Sequence, residues 1–546
     1  MKKLLLVNGL ILAILANCEI NSLSQDVDSD SYAPALNGNC TSIMVGRLAS
    51  TDGSVVTSHT CDGIYRTWLE VFPHTKYEKG AMHPVYWDMC LPREDRDMDK
   101  IIKKGEIPEI EETFAFLNTA YPCMNEKQLA IGETTLFTRD ELRNSEGLFN
   151  IEELEKIALQ RCRTARDAIA LIGKLAEEYG YGGYSGECIT IADTKEVWQM
   201  EICGSGKGKP SALWCAARIP DDHVGVSANI PRISTIDFNN PDLFMYSTDI
   251  QNVAKKLGYW DGKEQLKFWK IICPWRRAFD MREFYILSTL APSLNLSNDK
   301  TVTELPFSVK PEKKLSPRDI MKFFRETYEG TQWEMTKDLL LTVKEKDSDG
   351  NMVEKKIKSP VVNNWMNWDM VGLLNELKPG IVVNRGSIAQ SRCSYSHVIQ
   401  CRSWLPDEVG AVAWFSFDNP GESPRIPIFS GVLYLPESFS NCGQYRYRTD
   451  AAIWSFREAN KLATINWSIG RTLIEPAVKE LEDKAFAEVP VIEKNAAEMI
   501  KAGKINKAKE YITSYTNEFA ISSIRKWEEI KVTLWGMIGR DFYPLN

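Results

Sequence analysis

The run Cys40-Thr41-Ser42-Ile43-Met44-Val45-Gly46, the turn Ala49-Ser50-Thr51-Asp52-Gly53 and the second apolar run Ser54-Val55-Val56-Thr57-Ser58 read together as a β-hairpin. β-Branched and apolar residues fill both runs, and Asp-Gly supplies the turn. The cysteine at its head matters most. Were the chain cut between Asn39 and Cys40, one residue would carry both a thiol and a free α-amine on rigid backbone. A cysteine nucleophile needs a nearby base to raise its thiolate fraction. An α-amine, with an ordinary pKa of about 7.7–8.0, can take and return that proton. By itself Cys40 reads as one more buried or disulfide-bonded thiol.

The text upstream of Cys40 has the form of an export leader. Lys2-Lys3 give a positive start, and an apolar stretch from Leu4 to Ala16 is interrupted only by Asn8 and Gly9. That is signal-peptide length and too short for a membrane span. Leu15-Ala16-Asn17-Cys18 loosely resembles a bacterial lipobox, which would make Cys18 a lipid-anchored N-terminus. Residues 19–39 are polar and aperiodic, as in a pro-segment or tether. The expected organisation is therefore a signal peptide over 1–18, a pro-segment or tether over 19–39, and a domain over 40–546 with a helical region from about 449. Export follows from this reading, whether periplasmic, secreted or as a surface lipoprotein. No later window holds 18 uninterrupted apolar residues, so no transmembrane span is expected.

Lys and Arg number 66 against 74 Asp and Glu, a net charge of −8, which argues against a nucleic-acid binder. The cysteines form no CxxC pair, and so no zinc framework. In an exported chain Cys393 and Cys401 are candidates for a bridge. Cys188, Cys203 and Cys215 sit inside apolar runs and read as buried thiols. The histidines (59, 74, 83, 223 and 397) lack metal-ligand spacing, and neither HExxH nor GxSxG occurs. Gly204-Ser205-Gly206-Lys207-Gly208-Lys209 lacks the spacing of a phosphate loop and reads as a surface turn. No metal or organic cofactor is implied.

Residues 40–72 read as strands, 77–125 as irregular, and Asn125-Glu126-Lys127-Gln128 as a turn into a strand at 129–135. Thr164-Ala165-Arg166-Asp167 resembles a capping box, opening a helix that Gly180 ends. Strand-like runs follow at 187–192, 197–202, 212–218 and 223–228. The stretch 296–316 reads as a surface connection, 316–345 as helical, and 346–358 as a solvated hairpin. Strands return over 381–434, and the tail, 449–538, has helical spacing. No repeat is evident. Strands early and late, with helices between and after, fit an α+β fold.

The hairpin at Cys40 resembles the start of the dipeptidase A family, peptidase family C69, which are cysteine-type N-terminal nucleophile hydrolases. Cys-Thr, an apolar strand, Asp52-Gly53, a second strand and Asp62 match in order. Asn125-Glu126-Lys127-Gln128-Leu129-Ala130-Ile131-Gly132-Glu133-Thr134-Thr135, Arg218-Ile219-Pro220-Asp221-Asp222 with Ser227-Ala228-Asn229, and Ser396-His397-Val398-Ile399-Gln400 with Trp404-Leu405-Pro406 resemble later family blocks. The resemblance implies a four-layer αββα fold with C-terminal helical additions, and dipeptide hydrolysis through a Cys40 thioester. It also implies that Asp62 orients the new amine, that Asn229 helps bind the oxyanion, and that Glu133 contacts substrate. Against these stand plain structural readings: an Asp-Gly turn residue, a strand-end cap and a structural acid. At His59-Thr60-Cys61 many relatives carry Arg-Asn-Glu, so His59 stands where an arginine would steer substrate. Two alternatives remain open, an acyl-amide amidase of the penicillin or bile-salt type and a non-catalytic surface-anchored binding protein. Small peptides are the expected partners, and a homo-oligomer is left open.

Overall fold

The computed structural model describes residues 39–87, 89–90, 101, 103–183, 185–208, 211–444 and 446–542. The signal, lipid-anchor and tether readings at 1–38 lie outside the described residues. The fold is α+β.

Two antiparallel sheets carry it. The strands composing them are β1 (Ser42–Val45), β2 (Val55–Asp62), β3 (Glu70–Phe72), β4 (Phe116–Asn118), β5 (Met124–Asn125), β6 (Ala130–Leu136), β7 (Gly186–Ala192), β8 (Val197–Gly204), β9 (Ala212–Ile219), β10 (Val224–Ser227), β11 (Phe244–Tyr246), β12 (Ser308–Val309), β13 (Cys393–Cys401), β14 (Ala411–Phe417) and β15 (Ile426–Phe429). Sheet I runs β12-β10-β1-β2-β13-β14-β15, and sheet II runs β11-β9-β8-β7-β6-β5-β4-β3. The hairpin turn at Asp52-Gly53 brings β1 beside β2 as expected. Gly53 has φ +87°, a conformation glycine takes without strain, and Asp52 Oδ1 accepts from the Ser54 N–H and hydroxyl.

Every residue of β2 is buried although five of its eight are polar, because β2 meets β6 and β7 of sheet II face to face. Thr57 Oγ1 and Thr190 Oγ1 are 2.6 Å apart across that interface. The approach is closest at Gly132, where an added Cβ would lie 2.5 Å from the Ser58 carbonyl oxygen and 2.7 Å from Thr190 Oγ1. Helices α1 (Ile151–Arg161) and α2 (Ala165–Tyr179) pack on strands of sheet II. Thr164 caps α2 by accepting from the Asp167 N–H, and Gly180 ends it at φ +87°. Helix α3 (Met281–Leu290) packs on β10, while α4 (Ala452–Ala463), α5 (Trp467–Lys501) and α6 (Ile505–Ile538) pack on β14 and β15.

Four expectations need correction. The stretch 77–125 is not irregular: among its described residues Met82–Tyr86 pairs with Lys103–Pro108, and β4 and β5 lie within it. These strands are too short for an alternation to show. The helix expected over 316–345 stops at Phe324, and Leu340–Lys346 is a strand paired with Met352–Lys358. Tyr328 at φ +63° and Gly330 at φ +75° break the helical path. The connection 296–316 contributes the edge strand β12. Cys393 and Cys401 are both free. They occupy the two ends of β13, roughly 26 Å apart at about 3.3 Å per residue, far beyond disulfide reach. Cys188, Cys203 and Cys215 are free and buried, as their apolar surroundings predicted.

Gly132→Ala pushes a methyl into the Ser58 carbonyl, which rigid strands on both sides cannot vacate. The variant is expected to lose about 1–3 kcal/mol of stability, read as a lower urea midpoint with unchanged slope. An unchanged midpoint would show that the two sheets do not constrain each other there.

Candidate active site

Cys40 lies at the entry to β1, fully buried. Its neighbourhood is set by how β1 joins its partners. On one side β1 pairs with β10 along its whole length, Ser42↔Ser227 through Val45↔Val224. This carries Ala228 and Asn229 to the same end of the sheet as Cys40. On the other side the regular ladder with β2 is confined to Val45↔Val56. Hydroxyls complete it: Ser58 Oγ accepts from the Ile43 N–H at 2.9 Å and donates to the Ile43 carbonyl at 2.8 Å. The Thr41 N–H donates to Thr60 Oγ1 at 2.9 Å. Thr60 in turn donates to Asp62 Oδ2 at 2.7 Å, and the Asp62 N–H donates to Cys40 Sγ at 3.4 Å. Cys40 and Asp62, singled out together in the sequence, therefore lie side by side.

Burial sets the charge states. It raises the Cys40 thiol well above its ordinary pKa, and the Glu133 and Asp62 charges push the same way. The Asp62 N–H and the Arg282 guanidinium act in the opposite sense. Burial also raises the Asp62 carboxyl to about 7, against lowering by Cys393, Thr60 and Arg282. Burial thus favours the thiol over the thiolate at Cys40.

Arg282, which the sequence reading did not single out, is the hub. Its Nη1 donates to the Asn39 carbonyl, to the Cys40 carbonyl at 2.8 Å and to Thr41 Oγ1 at 3.2 Å. Its Nη2 donates to the Ala228 carbonyl at 3.0 Å and to Asn229 Oδ1 at 3.1 Å, and its Nε to Asp280 Oδ1 at 2.9 Å. Burial opposes the charge most strongly, but Asp280, Tyr328 and Glu283 together hold the guanidinium above its ordinary pKa. The Asp280/Glu283 capping box fixes the first turn of α3, where Arg282 sits, and Glu283 Oε1 accepts from the Ala228 N–H at 3.1 Å. The available signal was an Arg-Glu pair ahead of the apolar run Phe284–Leu287.

The other expected residues are placed with differing directness. Asn229 reaches the site in a left-handed conformation, φ +67°. Its Nδ2 donates to the Thr135 carbonyl at 2.7 Å, so the donor wanted for an oxyanion is committed within the fold. Glu133 offers its main chain to the site, its carbonyl accepting from Ser42 Oγ at 3.3 Å. Its carboxyl instead accepts from Thr135 Oγ1 at 3.3 Å and hydrogen-bonds to Glu187. His59 does not present a charge to the site. Burial lowers its pKa to about 4, its ring lies among Tyr121, Tyr395 and His397, and Nδ1 rests on the Glu133 main chain, 3.1 Å from the N–H. It is a neutral strut under Glu133, not a stand-in for arginine. Among the described residues no group of His, Cys, Asp or Glu is arranged to hold a metal.

Over residues 39–480 the chain matches the family model described as peptidase family C69. It is 26% identical over 414 residues to a probable dipeptidase of Latilactobacillus sakei, covering 73% of this chain and 76% of that protein. It is 23% identical over 479 residues to the probable dipeptidase A of Streptococcus pyogenes serotype M1, covering 83% and 88%. A probable dipeptidase B of Lactococcus lactis is 23% identical over 435 residues, covering 75% and 78%.

Arg282→Lys keeps the charge but not the planar fork. Buried carbonyls then lose their donor, and the loss expected is about 3 kcal/mol, measured by denaturant unfolding. Asp62 gives a pH signature. Its folded pKa lies above the ordinary value, so its stabilising contribution is complete below about pH 4 and is lost as pH rises through about 7. Asp62→Asn should therefore gain stability relative to the native chain between pH 5 and pH 8; a pH-independent difference would contradict the buried carboxyl.

Proposed function

Since the chain belongs to peptidase family C69 and is a peptide-bond hydrolase, we propose that it is an exported dipeptidase whose nucleophile is Cys40, exposed as an N-terminal residue by cleavage of its own Asn39–Cys40 bond. The observation that carries the reading is the Arg282 hydrogen bond to the Asn39 carbonyl, the carbonyl of the bond to be cut. A cationic donor on that oxygen polarises the carbon and stabilises the oxyanion that forms when Sγ adds. Attack by Sγ on the Asn39 carbonyl carbon forms the thioester and breaks the C–N bond, and the thiol proton passes to the leaving nitrogen, which becomes the Cys40 α-amine. Water then hydrolyses the thioester, frees the Asn39 carboxylate and returns the thiol.

The same groups then act on a peptide. The Cys40 amine takes the thiol proton as sulfur attacks the scissile carbonyl, and gives it to the departing amine. Water clears the thioester. Asp62, close to Cys40 Sγ through its own N–H, orients the amine. Asn229 supplies an oxyanion donor once Nδ2 turns from the Thr135 carbonyl. A four-layer αββα arrangement of the N-terminal nucleophile hydrolase kind is supported by the packing of helices against each of the two facing sheets. Export is supported by Lys2-Lys3 and the apolar stretch behind them.

Mass spectrometry of purified protein tests the cleavage. The native chain should begin at Cys40, while Cys40→Ala should keep residues before it and lose dipeptide hydrolysis by at least about a thousandfold. Active native protein that retains Asn39 would overturn the proposal.

A further inference from the structure

Cys61 has no part in the reaction just described, although it belongs to the run His59-Thr60-Cys61 at which the sequence departs from the family resemblance. Its place follows from the register of β1 on β2. Val45 stands opposite Val56. Ser58 holds both main-chain groups of Ile43, and the Thr60 N–H donates to the Thr41 carbonyl at 3.0 Å. Val45 with Val56, Ile43 with Ser58 and Thr41 with Thr60 are pairs of one antiparallel register. One step further sets Cys40 opposite Cys61.

Opposed residues of an antiparallel pair project to one face, and faces alternate along each strand. Ser42 and His59, opposed in the same register, both reach the Glu133 main chain on sheet II. Ser42 Oγ donates to its carbonyl at 3.3 Å, and its N–H donates to His59 Nδ1 at 3.1 Å. Cys40 and Cys61 lie two residues beyond, so they share that face. The Cα atoms of opposed residues stand roughly 4.5–5.5 Å apart, within the range of about 4.4–6.8 Å that a disulfide bridges. The main-chain bond between Thr41 and Thr60 holds the strands at that spacing beside the pair. Cys40 Sγ already rests against the peptide bond that leaves Cys61, 3.4 Å from the Asp62 nitrogen. Both thiols are free and fully buried. Cys393 stands opposite Asp62 and so belongs to the other face.

We propose that Cys61 is the partner thiol of Cys40: oxidation by a peroxide joins the two in a cross-strand disulfide that switches hydrolysis off, and a thiol reductant restores it. The proposal rests on Cys40 as the nucleophile. The route that admits a peptide to Cys40 admits the smaller peroxide. The Cys40 sulfur, its proton taken by the α-amine, attacks one peroxide oxygen. The S–O bond forms, the O–O bond breaks, and the leaving hydroxide takes up the proton as water. Cys61 sulfur then displaces the oxygen of the Cys40 sulfenic acid. The S–S bond forms, the S–O bond breaks, and the Cys61 proton leaves in a second water. Two thiols and one peroxide thus give one disulfide and two waters. Without Cys61 the sulfenic acid meets further peroxide and passes to the sulfinic acid, which thiols do not reduce.

The test exposes mature, reduced protein to excess hydrogen peroxide and follows hydrolysis of L-alanyl-L-alanine before oxidation, after it, and after dithiothreitol. Native protein should lose its activity, yield a linked Cys40–Cys61 peptide on non-reducing digestion and mass spectrometry, and regain most of its rate on reduction. Cys61→Ser and Cys61→Ala, each checked for folding by thermal melting, are compared with their own rates before oxidation. They should recover at least about tenfold less than native protein, with Cys40 found as the sulfinic acid. A Cys61 that merely fills space would leave the recovered fraction unchanged. Equal recovery in native protein and both folded variants overturns the proposal, as does native inactivation without the linked peptide. The nucleophile reading fails differently. A linked protein that still hydrolyses dipeptides would overturn the switch together with that reading, whereas activity lost at Cys40 with no link would leave the nucleophile standing and remove only its partner.

Discussion

One buried guanidinium ties the site together. Arg282 spends its donors on oxygens from two chain segments, Asn39 to Thr41 and Ala228 to Asn229. Such a charge is tolerable in the interior because each N–H finds an oxygen and Asp280 balances it. Removing the fork strands several carbonyls at once. Because the capping box of α3 anchors the first turn and Glu283 holds the Ala228 N–H, the helix clips the ends of β10 and β1 together. The position of Cys40 is thus a consequence of where α3 begins.

The second constraint is the unfinished ladder between β1 and β2. Beside the main-chain bond from the Thr60 N–H to the Thr41 carbonyl at 3.0 Å, the hydroxyls of Ser58 and Thr60 are interposed, each satisfying a main-chain group of β1. Thr60 passes the connection on to Asp62, whose N–H returns it to the thiol. The polar text of β2 is therefore internal wiring. In an isolated strand the same residues would read as a solvent face.

That difference explains what was legible. The hairpin, the turn at Asp52-Gly53, the capping box at Thr164 and the strands around Glu133 and Asn229 are written in local residue patterns, and local patterns survive folding. The pairing of Cys40 with Asp62 was legible because only a hairpin separates them. Arg282 was not, since its partners lie more than fifty residues away on one side and more than two hundred on the other. His59 misled for a related reason. Its charge state depends on Tyr121, Tyr395 and His397 closing around it, and burial among rings removes the charge that a substituted arginine would have supplied. The short strands between 82 and 118 and the early end of the helix at Phe324 were lost because tertiary pairing, not periodicity, defines them.

Electrostatics connects the two constraints to chemistry. In the uncleaved chain the thiol lies buried under the influence of Glu133 and Asp62, so every dominant influence favours the thiol over the thiolate. Arg282 is the opposing charge, yet its hydrogen bonds go to the carbonyls flanking Cys40, where it acts on the peptide bond more than on sulfur. The uncut site is therefore arranged to activate an electrophile, the Asn39 carbonyl, beside a weak nucleophile. On the proposed cut, a titratable amine appears on the residue that carries the thiol, and a positive charge there counters the acids that hold the proton on sulfur. The burial that keeps Cys40 quiet in the long chain is then what gives the new amine its leverage, because a charge acts more strongly where water is excluded.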